Sequence, residues 1–199
     1  MKSSIAIAAM VAFAGAATAQ VDVYSSSFEG GDAAGFTGTG DWELGIPVGF
    51  VGSNSSVEPV GGNTGDFAWG TIIGGDHNPS TVSSLSQDFN FAGFADVQLS
   101  FFEYSASGGN TFDTAQVLVN GDEVYLSDGD SDDAWREVVL DLSAYDGLAD
   151  VTVDFLFSTT GVVERVGWYI DDVSITAVPA PASAALLGLG GLVATRRRR

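Results

Sequence analysis

Apolar residues recur at every second position through much of the chain between residues 21 and 177. Residues 97–101, 117–119 and 151–157 each place an apolar side chain at alternate positions. Successive side chains of a strand point to opposite faces, so this period indicates strands with one buried face. No segment of this part shows apolar residues at helical spacing beyond a turn or two, and the sequence therefore predicts an all-β fold.

Turn signals separate the predicted strands. Asn120-Gly121 lies between two alternating runs, and it predicts a two-residue hairpin because both turn positions need a positive φ. Residues 143–147 are typical of one short helical turn that ends at Gly147, and the Gly-rich residues 51–66 are a long loop and a candidate for function. Short strands between Gly, Asp, Asn and Ser clusters favour a two-sheet antiparallel β-sandwich, a jelly roll.

Charge and composition exclude several classes of protein. Residues 20–177 contain all 26 acidic residues and only two basic ones, Arg136 and Arg165, which gives a formal charge of −24. Nucleic-acid binding needs clustered Lys and Arg, so it is excluded. The absence of Cys excludes disulfides, a thiolate nucleophile and Cys-type zinc sites. With 45% hydrophobic residues the chain is too apolar for a disordered acidic tail.

The two ends of the chain have the composition of targeting segments. Residues 1–19 combine Lys2, an apolar stretch over residues 5–17 and the small-residue site Ala17-Thr18-Ala19. This is typical of a signal peptide, which forms a short helix and is removed after export by the Sec machinery and signal peptidase. We therefore expect three parts: a signal peptide at 1–19, one sandwich domain at 20–177 and a tail at 178–199.

The tail contains a proline motif, an apolar segment at residues 184–194 and a terminal basic cluster. Eleven helical residues reach about 17 Å, short of a hydrocarbon core of about 30 Å. An Arg cluster after an apolar segment stays on the cytoplasmic side, which leaves the domain outside. The motif is Val178, Pro179, Ala180, Pro181, Ala182 and Ser183, and the cluster is Arg196, Arg197, Arg198 and Arg199.

This order of parts resembles the PEP-CTERM sorting tail of Gram-negative bacteria, with Ala180 where such tails carry Glu. The resemblance implies transient anchoring in the inner membrane and recognition by an exosortase-type membrane peptidase. It places the domain at the cell surface or in the extracellular matrix, with surface polysaccharide as a candidate partner.

Seven short motifs, in sequence order, resemble the MAM-like jelly roll that occurs beside immune-inhibitor-type metallopeptidases and in bacterial surface proteins. They are residues 27–30, 41–47, 67–71, 113–117, 135–138, 141–145 and 167–173.

That resemblance implies a structural Ca²⁺ held by a Glu on the first strand and an Asp on the last strand. The matching residues are Glu29 and the pair Asp171-Asp172, with Asp113 as a third candidate. Ca²⁺ binds hard oxygen ligands, and converging carboxylates repel each other unless a cation or a proton neutralises them. The alternative is that Asp171 and Asp172 accept hydrogen bonds from loop amides or face water.

Other acidic and ionisable residues give weaker signals. Residues 128–133 begin like an EF-hand loop but have Asp133 where Gly is needed and Val139 where a bidentate Glu is needed, which favours a solvated acidic loop. His77, the only histidine, lies in a polar loop with no partner at a recognisable spacing, so we interpret it as a solvated surface residue. Glu43 and Glu103 are the candidate pair for glycoside hydrolysis, a reaction decided by a distance that the sequence does not give.

The four tryptophans, Trp42, Trp69, Trp135 and Trp168, are candidates for a sugar-binding platform, but their positions in strand motifs favour core packing for most of them. Residues 51–66 contain no aromatic side chain, which weakens a lectin-like reading of that loop. The sequence predicts a non-catalytic exported surface or matrix module with a structural, adhesive or carbohydrate-binding role. The alternative is a carbohydrate-active or other hydrolytic enzyme on the same scaffold.

Overall fold

The computed structural model describes residues 19–130 and 133–180. The regular structure of this part consists of strands and three 3-10 turns, at Glu29–Gly31, Ser53–Ser55 and Ser143–Tyr145. The all-β prediction is confirmed. The strands are β1 (Val21–Ser26), β2 (Thr37–Gly38), β3 (Trp42–Gly45), β4 (Ala68–Thr71), β5 (Val82–Phe89), β6 (Phe94–Ala106), β7 (Thr114–Val119), β8 (Asp122–Leu126), β9 (Arg136–Asp141), β10 (Val151–Ser158) and β11 (Gly167–Pro179).

The strands form two sheets, and every strand pair is antiparallel. The first sheet has the order β3-β4-β11-β6-β9, and β1 also pairs with β11. The second sheet has the order β2-β5-β10-β7-β8. The two-sheet antiparallel β-sandwich predicted from the alternation is therefore observed.

The core lies between the two sheets and consists of the alternating apolar residues. Phe155 of β10 packs edge-on against Phe101 of β6 at 5.0 Å between ring centroids and lies 5.8 Å from Trp168 of β11. The indole Nε1 of Trp42 donates a hydrogen bond to the Phe155 carbonyl oxygen at 3.1 Å. Trp42, Trp69 and Trp168 are all buried, as expected for most of the tryptophans. Removal of this apolar surface from water is the main source of the domain's stability.

The β7–β8 hairpin confirms the turn predicted at Asn120-Gly121. Both residues have positive φ, 51° and 87°, and Val119 pairs directly with Asp122. β8 carries one extra residue, Val124, between two successive register pairs. Such a bulge shifts the alternation of side chains, and Leu126 is consequently 42% exposed.

Residues 46–67, which we call the loop layer, cover the outer face of the first sheet. Two isolated bridges, Val48 with Val60 and Val51 with Val57, order its first half. Phe50 packs against Tyr104, Val166 and Tyr169 in a small cluster separate from the main core. Tyr169 faces outwards because it alternates with the core residues on either side of it in β11. The predicted loop at residues 51–66 is thus an ordered layer of the fold.

β11 continues two residues beyond Ala177, the predicted end of the domain. Val178 pairs with Ala95, Pro179 pairs with Phe94, and the backbone N–H of Ala180 donates to the Gly93 carbonyl at 2.8 Å. The first half of the predicted sorting motif is therefore part of the sandwich.

The rest of both predicted targeting segments, residues 1–18 and 181–199, lies outside the described residues, and so do Pro181, Ala182, Ser183 and the four C-terminal arginines. Within residues 19–130 and 133–180 the structure has no helix with the length and hydropathy of a membrane span.

Candidate functional site

Asp171 and Asp172 of β11 face the second half of the loop layer. The Asp171 carboxylate is fully buried, and its Oδ2 accepts the backbone N–H groups of Asn63 at 2.7 Å and Thr64 at 3.1 Å. Asp172 accepts hydrogen bonds from the Asn63 amide at 2.7 Å and the Thr64 hydroxyl at 2.6 Å. The two aspartates therefore accept hydrogen bonds from N–H and hydroxyl groups of the same loop. This is the alternative to a cation site that the sequence left open.

Glu29 binds the same loop a few residues further along. Its Oε1 accepts the backbone N–H groups of Asp66 and Phe67, both at 3.0 Å. The carboxylate lies so close to Gly65 that a Cβ there would be 2.3 Å from the Glu29 Cδ, so only glycine fits. Three of the four predicted calcium ligands, Glu29, Asp171 and Asp172, therefore contact one loop.

Gly62 packs closely against Asp171 and against two carbonyl oxygens of the loop. A Cβ on Gly62 would lie 2.5 Å from the Phe67 carbonyl oxygen, 2.6 Å from Asp171 Oδ2 and 2.8 Å from the Thr64 carbonyl oxygen. Burial raises the pKa of Asp171 to about 7, and the neighbouring charge of Asp172 adds to the rise while backbone N–H donors oppose it. A carboxyl group of this kind is neutralised by a proton or a cation near neutral pH.

The carboxylate oxygens of Glu29, Asp171 and Asp172 and the loop carbonyl oxygens are of the type that Ca²⁺ binds. Among residues 19–130 and 133–180, however, no three His, Cys, Asp or Glu side chains are grouped to hold a metal ion. A cation at this place would depend on the carbonyls of Thr64 and Phe67 in addition to the carboxylates. Calcium stays a prediction.

Asp113, the fourth predicted ligand, contacts His77 instead. Its Oδ2 lies 3.2 Å from His77 Nε2, and its Oδ1 accepts the Thr160 N–H at 3.1 Å. The interpretation of His77 as a solvated surface residue is wrong, because the ring is 1% exposed and packs edge-on against Phe157. Its backbone N–H and its ring both form hydrogen bonds with the segment before β11, a long-range pairing that the local sequence does not reveal.

That pairing joins His77 to Arg165. The His77 N–H donates to the Arg165 carbonyl at 2.8 Å, and the Arg165 N–H donates to His77 Nε2 at 3.2 Å. Among the described residues, Oδ2 of Asp113 is buried and has no hydrogen-bond partner besides its contact with the imidazole. The buried Asp–His pair thus fixes the backbone from which the Arg165 side chain projects.

Glu43 and Glu103 lie on opposite faces of the first sheet. Glu103 faces the core, where it accepts hydrogen bonds from Trp168 Nε1 at 2.9 Å and Tyr125 Oη at 2.6 Å, and pairs with Arg136 at 2.5 Å. Glu43 is exposed and accepts the Ile73 N–H. Because the two carboxylates are separated by the sheet, they cannot flank one glycosidic bond as hydrolysis requires.

The acidic segment that begins at Asp128 is solvated, as predicted. The Asp128 side chain is 63% exposed and pairs with Arg136 at 2.8 Å, and this guanidinium lowers the pKa of Asp128. Residues 131 and 132 of the segment lie outside the described residues.

Four loops meet at one end of the sandwich around a polar pocket of about 260 Å³, which we call the loop-end pocket. The guanidinium Nε of Arg165 is buried in this region and has no hydrogen-bond partner within residues 19–130 and 133–180. The pocket is lined by Ser55, Ser56, Ala106, Gly108, Asp130, Asp133 and Arg165.

Trp135 lies two residues after Asp133 and is half-buried, whereas the other three tryptophans are buried. Its ring packs against Tyr104 at 5.9 Å between centroids. The Tyr104 hydroxyl lies 3.4 Å from Asp133 Oδ1 and donates to the Val57 carbonyl at 2.8 Å. Trp135 is therefore a partly buried aromatic residue that contacts Tyr104, whose hydroxyl lies near the pocket residue Asp133. Its position directly after the acidic segment is the sequence signal that distinguishes Trp135 from the other tryptophans.

No protein-family model and no curated protein sequence matches this chain. Among solved structures, it is similar to an apo-form cyclase from Fischerella sp. at 13% identity and a TM-score of 0.50, over 81% of this chain and 98% of that one. It is also similar to TmCBM61 in complex with β-1,4-galactotriose, with 15% identity, 75% and 92% coverage and a TM-score of 0.49.

A third similar structure is a cleaved adhesin domain of Lys-gingipain from Porphyromonas gingivalis, with 16% identity, 79% and 97% coverage and a TM-score of 0.49. At identities this low the match to the cyclase shows a shared fold alone. The class that the chain's own structure defines is an antiparallel β-sandwich with a covered outer face and a polar pocket among its loops.

Proposed function

We propose that the chain is a non-catalytic, exported module of the cell surface or extracellular matrix that binds carbohydrate and thereby has an adhesive role. The observation that carries the proposal is the partly exposed Trp135, whose neighbour Tyr104 contacts Asp133 of the loop-end pocket. Sugar rings present apolar C–H faces that pack on aromatic rings, and hydroxyl groups that need both donors and acceptors. The pocket provides serine hydroxyls, carboxylates and one guanidinium next to such a ring.

The arrangement of the ionisable side chains supports a non-catalytic role. Glu103 is fully buried with three side chains donating to it, and Glu58 is buried with its oxygens directed at backbone amides and Tyr169. His77 is enclosed with Asp113 beneath the surface. These groups hold the fold together, and general acid or base catalysis requires a group that reaches the substrate.

Export and sorting are the second part of the proposal. The signal peptide would deliver the chain through the Sec machinery, and the PEP-CTERM-like tail would hold it at the inner membrane until an exosortase-type peptidase releases it. Removal of residues 181–199 leaves every described strand intact, so we expect the shortened protein to fold and to lose surface attachment. Undiminished surface display of the shortened protein in its own bacterium would contradict the role of the tail.

A structural Ca²⁺ at Glu29, Asp171 and Asp172 is the third part. The ion would neutralise carboxylates that two segments, the turn at Glu29 and strand β11, bring to the same loop, and it would join β11 to the loop layer. The raised pKa of Asp171 and the carboxylate and carbonyl oxygens near Gly62 support the presence of the ion.

Retention of the full chain on immobilised neutral polysaccharide tests the carbohydrate role. We expect the protein to be retarded and Trp135→Ala to reduce retention at least tenfold, since ring stacking is lost. Phe94→Ala is the matched control, because Phe94 is also a half-buried aromatic residue. It is the first residue of β6, whereas Ala106, which lines the pocket, is the last. Failure of every polysaccharide to retard the folded protein would leave a purely structural role.

A further inference from the structure

The two arginines of the domain are used in different ways. Arg136 donates to Glu103 and to Asp128 and so belongs to a structural ion-pair network. Arg165 lies at the wall of the loop-end pocket, and its Nε is buried beside Gly108 with no hydrogen-bond partner among the described residues. Because Nε is enclosed there, Arg165 would contact a ligand in the pocket through the terminal nitrogens of its guanidinium group.

The pocket offers acceptors as well as donors. Asp130 and Asp133 line it together with the hydroxyls of Ser55 and Ser56. With Arg165 as the pocket's only basic lining residue, its formal charge is −1. A ligand that fits this set must both donate and accept hydrogen bonds, and it must not carry a negative charge.

We propose that the loop-end pocket binds a single neutral hexose unit of a glycan. Arg165 donates to a pair of sugar oxygens, and Asp133 accepts from a sugar hydroxyl. The inference rests on the proposed carbohydrate-binding function and specifies its ligand class and site. A volume of about 260 Å³ is below the range of about 300 to 1,000 Å³ typical of drug-sized ligands, and it suits one sugar ring.

The backbone around Arg165 is held in place before a ligand arrives. Its N–H and carbonyl groups both bind His77, which is buried against Asp113 and Phe157. The side chain passes within contact distance of Gly108, where a Cβ would lie 2.5 Å from the Arg165 Nε. A donor that is already oriented loses less conformational entropy on binding, which favours recognition of a small ligand.

The test is a glycan array that presents neutral, uronate-containing and sulfated oligosaccharides to the full chain. Arg165→Lys keeps the charge but removes the planar pair of donors. Asp133→Asn removes an acceptor charge, and Asn tolerates the left-handed backbone at this position, where φ is 56°. Asp150→Asn is the matched control. Asp150 is exposed and lies just before the first residue of β10, whereas Arg165 follows the last residue of that strand.

We expect binding to neutral glycans, a loss of at least tenfold in apparent affinity for Arg165→Lys and Asp133→Asn, and an unchanged affinity for Asp150→Asn. Wild-type binding that neither pocket variant weakens would overturn the inference and leave the proposed function standing. Binding confined to uronate or sulfated glycans would also overturn it. If no glycan binds the folded wild-type protein, the proposed carbohydrate-binding function itself fails. Thermal unfolding of each variant confirms that it is folded, and either pocket variant alone suffices for the conclusion.

Discussion

The interior between the sheets and the loop layer on the outer face are stabilised by different interactions. The interior contains apolar side chains from both sheets, and its stability is distributed over many contacts. The loop layer is attached by a few carboxylates, each of which accepts several hydrogen bonds from it. The first kind of stabilisation is insensitive to pH, whereas the second depends on the protonation of single groups.

Glu58 is the clearest example in the loop layer. It is 1% exposed, and its Oε2 accepts the N–H groups of Val48 and Phe50, both at 3.0 Å. Its Oε1 accepts the Gly74 N–H at 2.8 Å and the Tyr169 hydroxyl at 3.2 Å. Hydrogen bonds to an ionised carboxylate are stronger than neutral ones, so one side chain orders a long segment without an extended apolar core.

The largest effect is expected in the interior. Phe155→Ala should lower the free energy of unfolding by about 3 to 5 kcal/mol, because it removes a fully buried ring and leaves a cavity between the sheets. Denaturant unfolding measures the change. Val139→Ala is the control, since Val139 is 57% exposed and its truncation should cost less than about 0.5 kcal/mol. Equal effects of the two substitutions would contradict the position of the core.

The second effect concerns the loop layer alone. Glu58→Gln replaces one acceptor oxygen with an N–H₂ group that faces existing donors, and it should cost roughly 2 to 3 kcal/mol. Hydrogen exchange should accelerate at Val48, Phe50 and Gly74 while β10 stays protected. Glu137→Gln, on an exposed residue of β9, should change neither. Uniform loss of protection across both sheets would show that the loop layer and the interior unfold as one unit.

The third effect is a pH dependence. The folded-state pKa of Asp171, about 7, lies above its ordinary value of 3.8. The protonated form is therefore favoured by folding, and its contribution to stability is fully present below about pH 4 and is lost as the pH rises through about 7. In EDTA, the thermal midpoint of the wild-type protein should fall over this range more steeply than that of Asp171→Asn.

Asp150→Asn should keep the wild-type slope, and a slope unchanged in Asp171→Asn would assign the dependence to other groups.

Addition of Ca²⁺ at pH 7.5 extends the same experiment to the proposed ion. A cation bound to the native state at a hundred times its dissociation constant adds about 2.7 kcal/mol. We expect a larger rise of the midpoint with Ca²⁺ than with Mg²⁺, and none in Asp171→Asn. An equal response to both cations would indicate diffuse neutralisation of charge.

Much of the fold was predictable because the alternation of apolar residues is a local property. The strands around Leu99, Val117 and Phe155 and the turn at Asn120-Gly121 follow from period and turn chemistry. The bulge at Val124 was not predictable, because it depends on the register with β7. Of the proposed calcium ligands, Glu29, Asp171 and Asp172 do meet at one loop, while Asp113 lies elsewhere because β7 belongs to the second sheet.

The residues that sequence reasoning misjudged are those whose environment is set by distant segments. His77 is polar and surrounded by loop-forming residues, yet its partners Asp113 and Arg165 are distant in sequence and bury it. Trp135 was not misjudged, because core packing was predicted only for most of the tryptophans, and it is the one that keeps part of its surface exposed.

The sequence by itself determined the all-β class, the inward-facing residues of the principal strands and the acidic character of the domain, because each depends on residue type and short-range spacing. The targeting segments are predicted from the same kind of pattern and stay a prediction. Only the tertiary structure decided which carboxylates are buried, which of the two arginines lines the loop-end pocket and which tryptophan is only partly buried. These properties depend on which loops converge at one end of the sandwich, and that convergence arises from strand pairing between residues far apart in the chain.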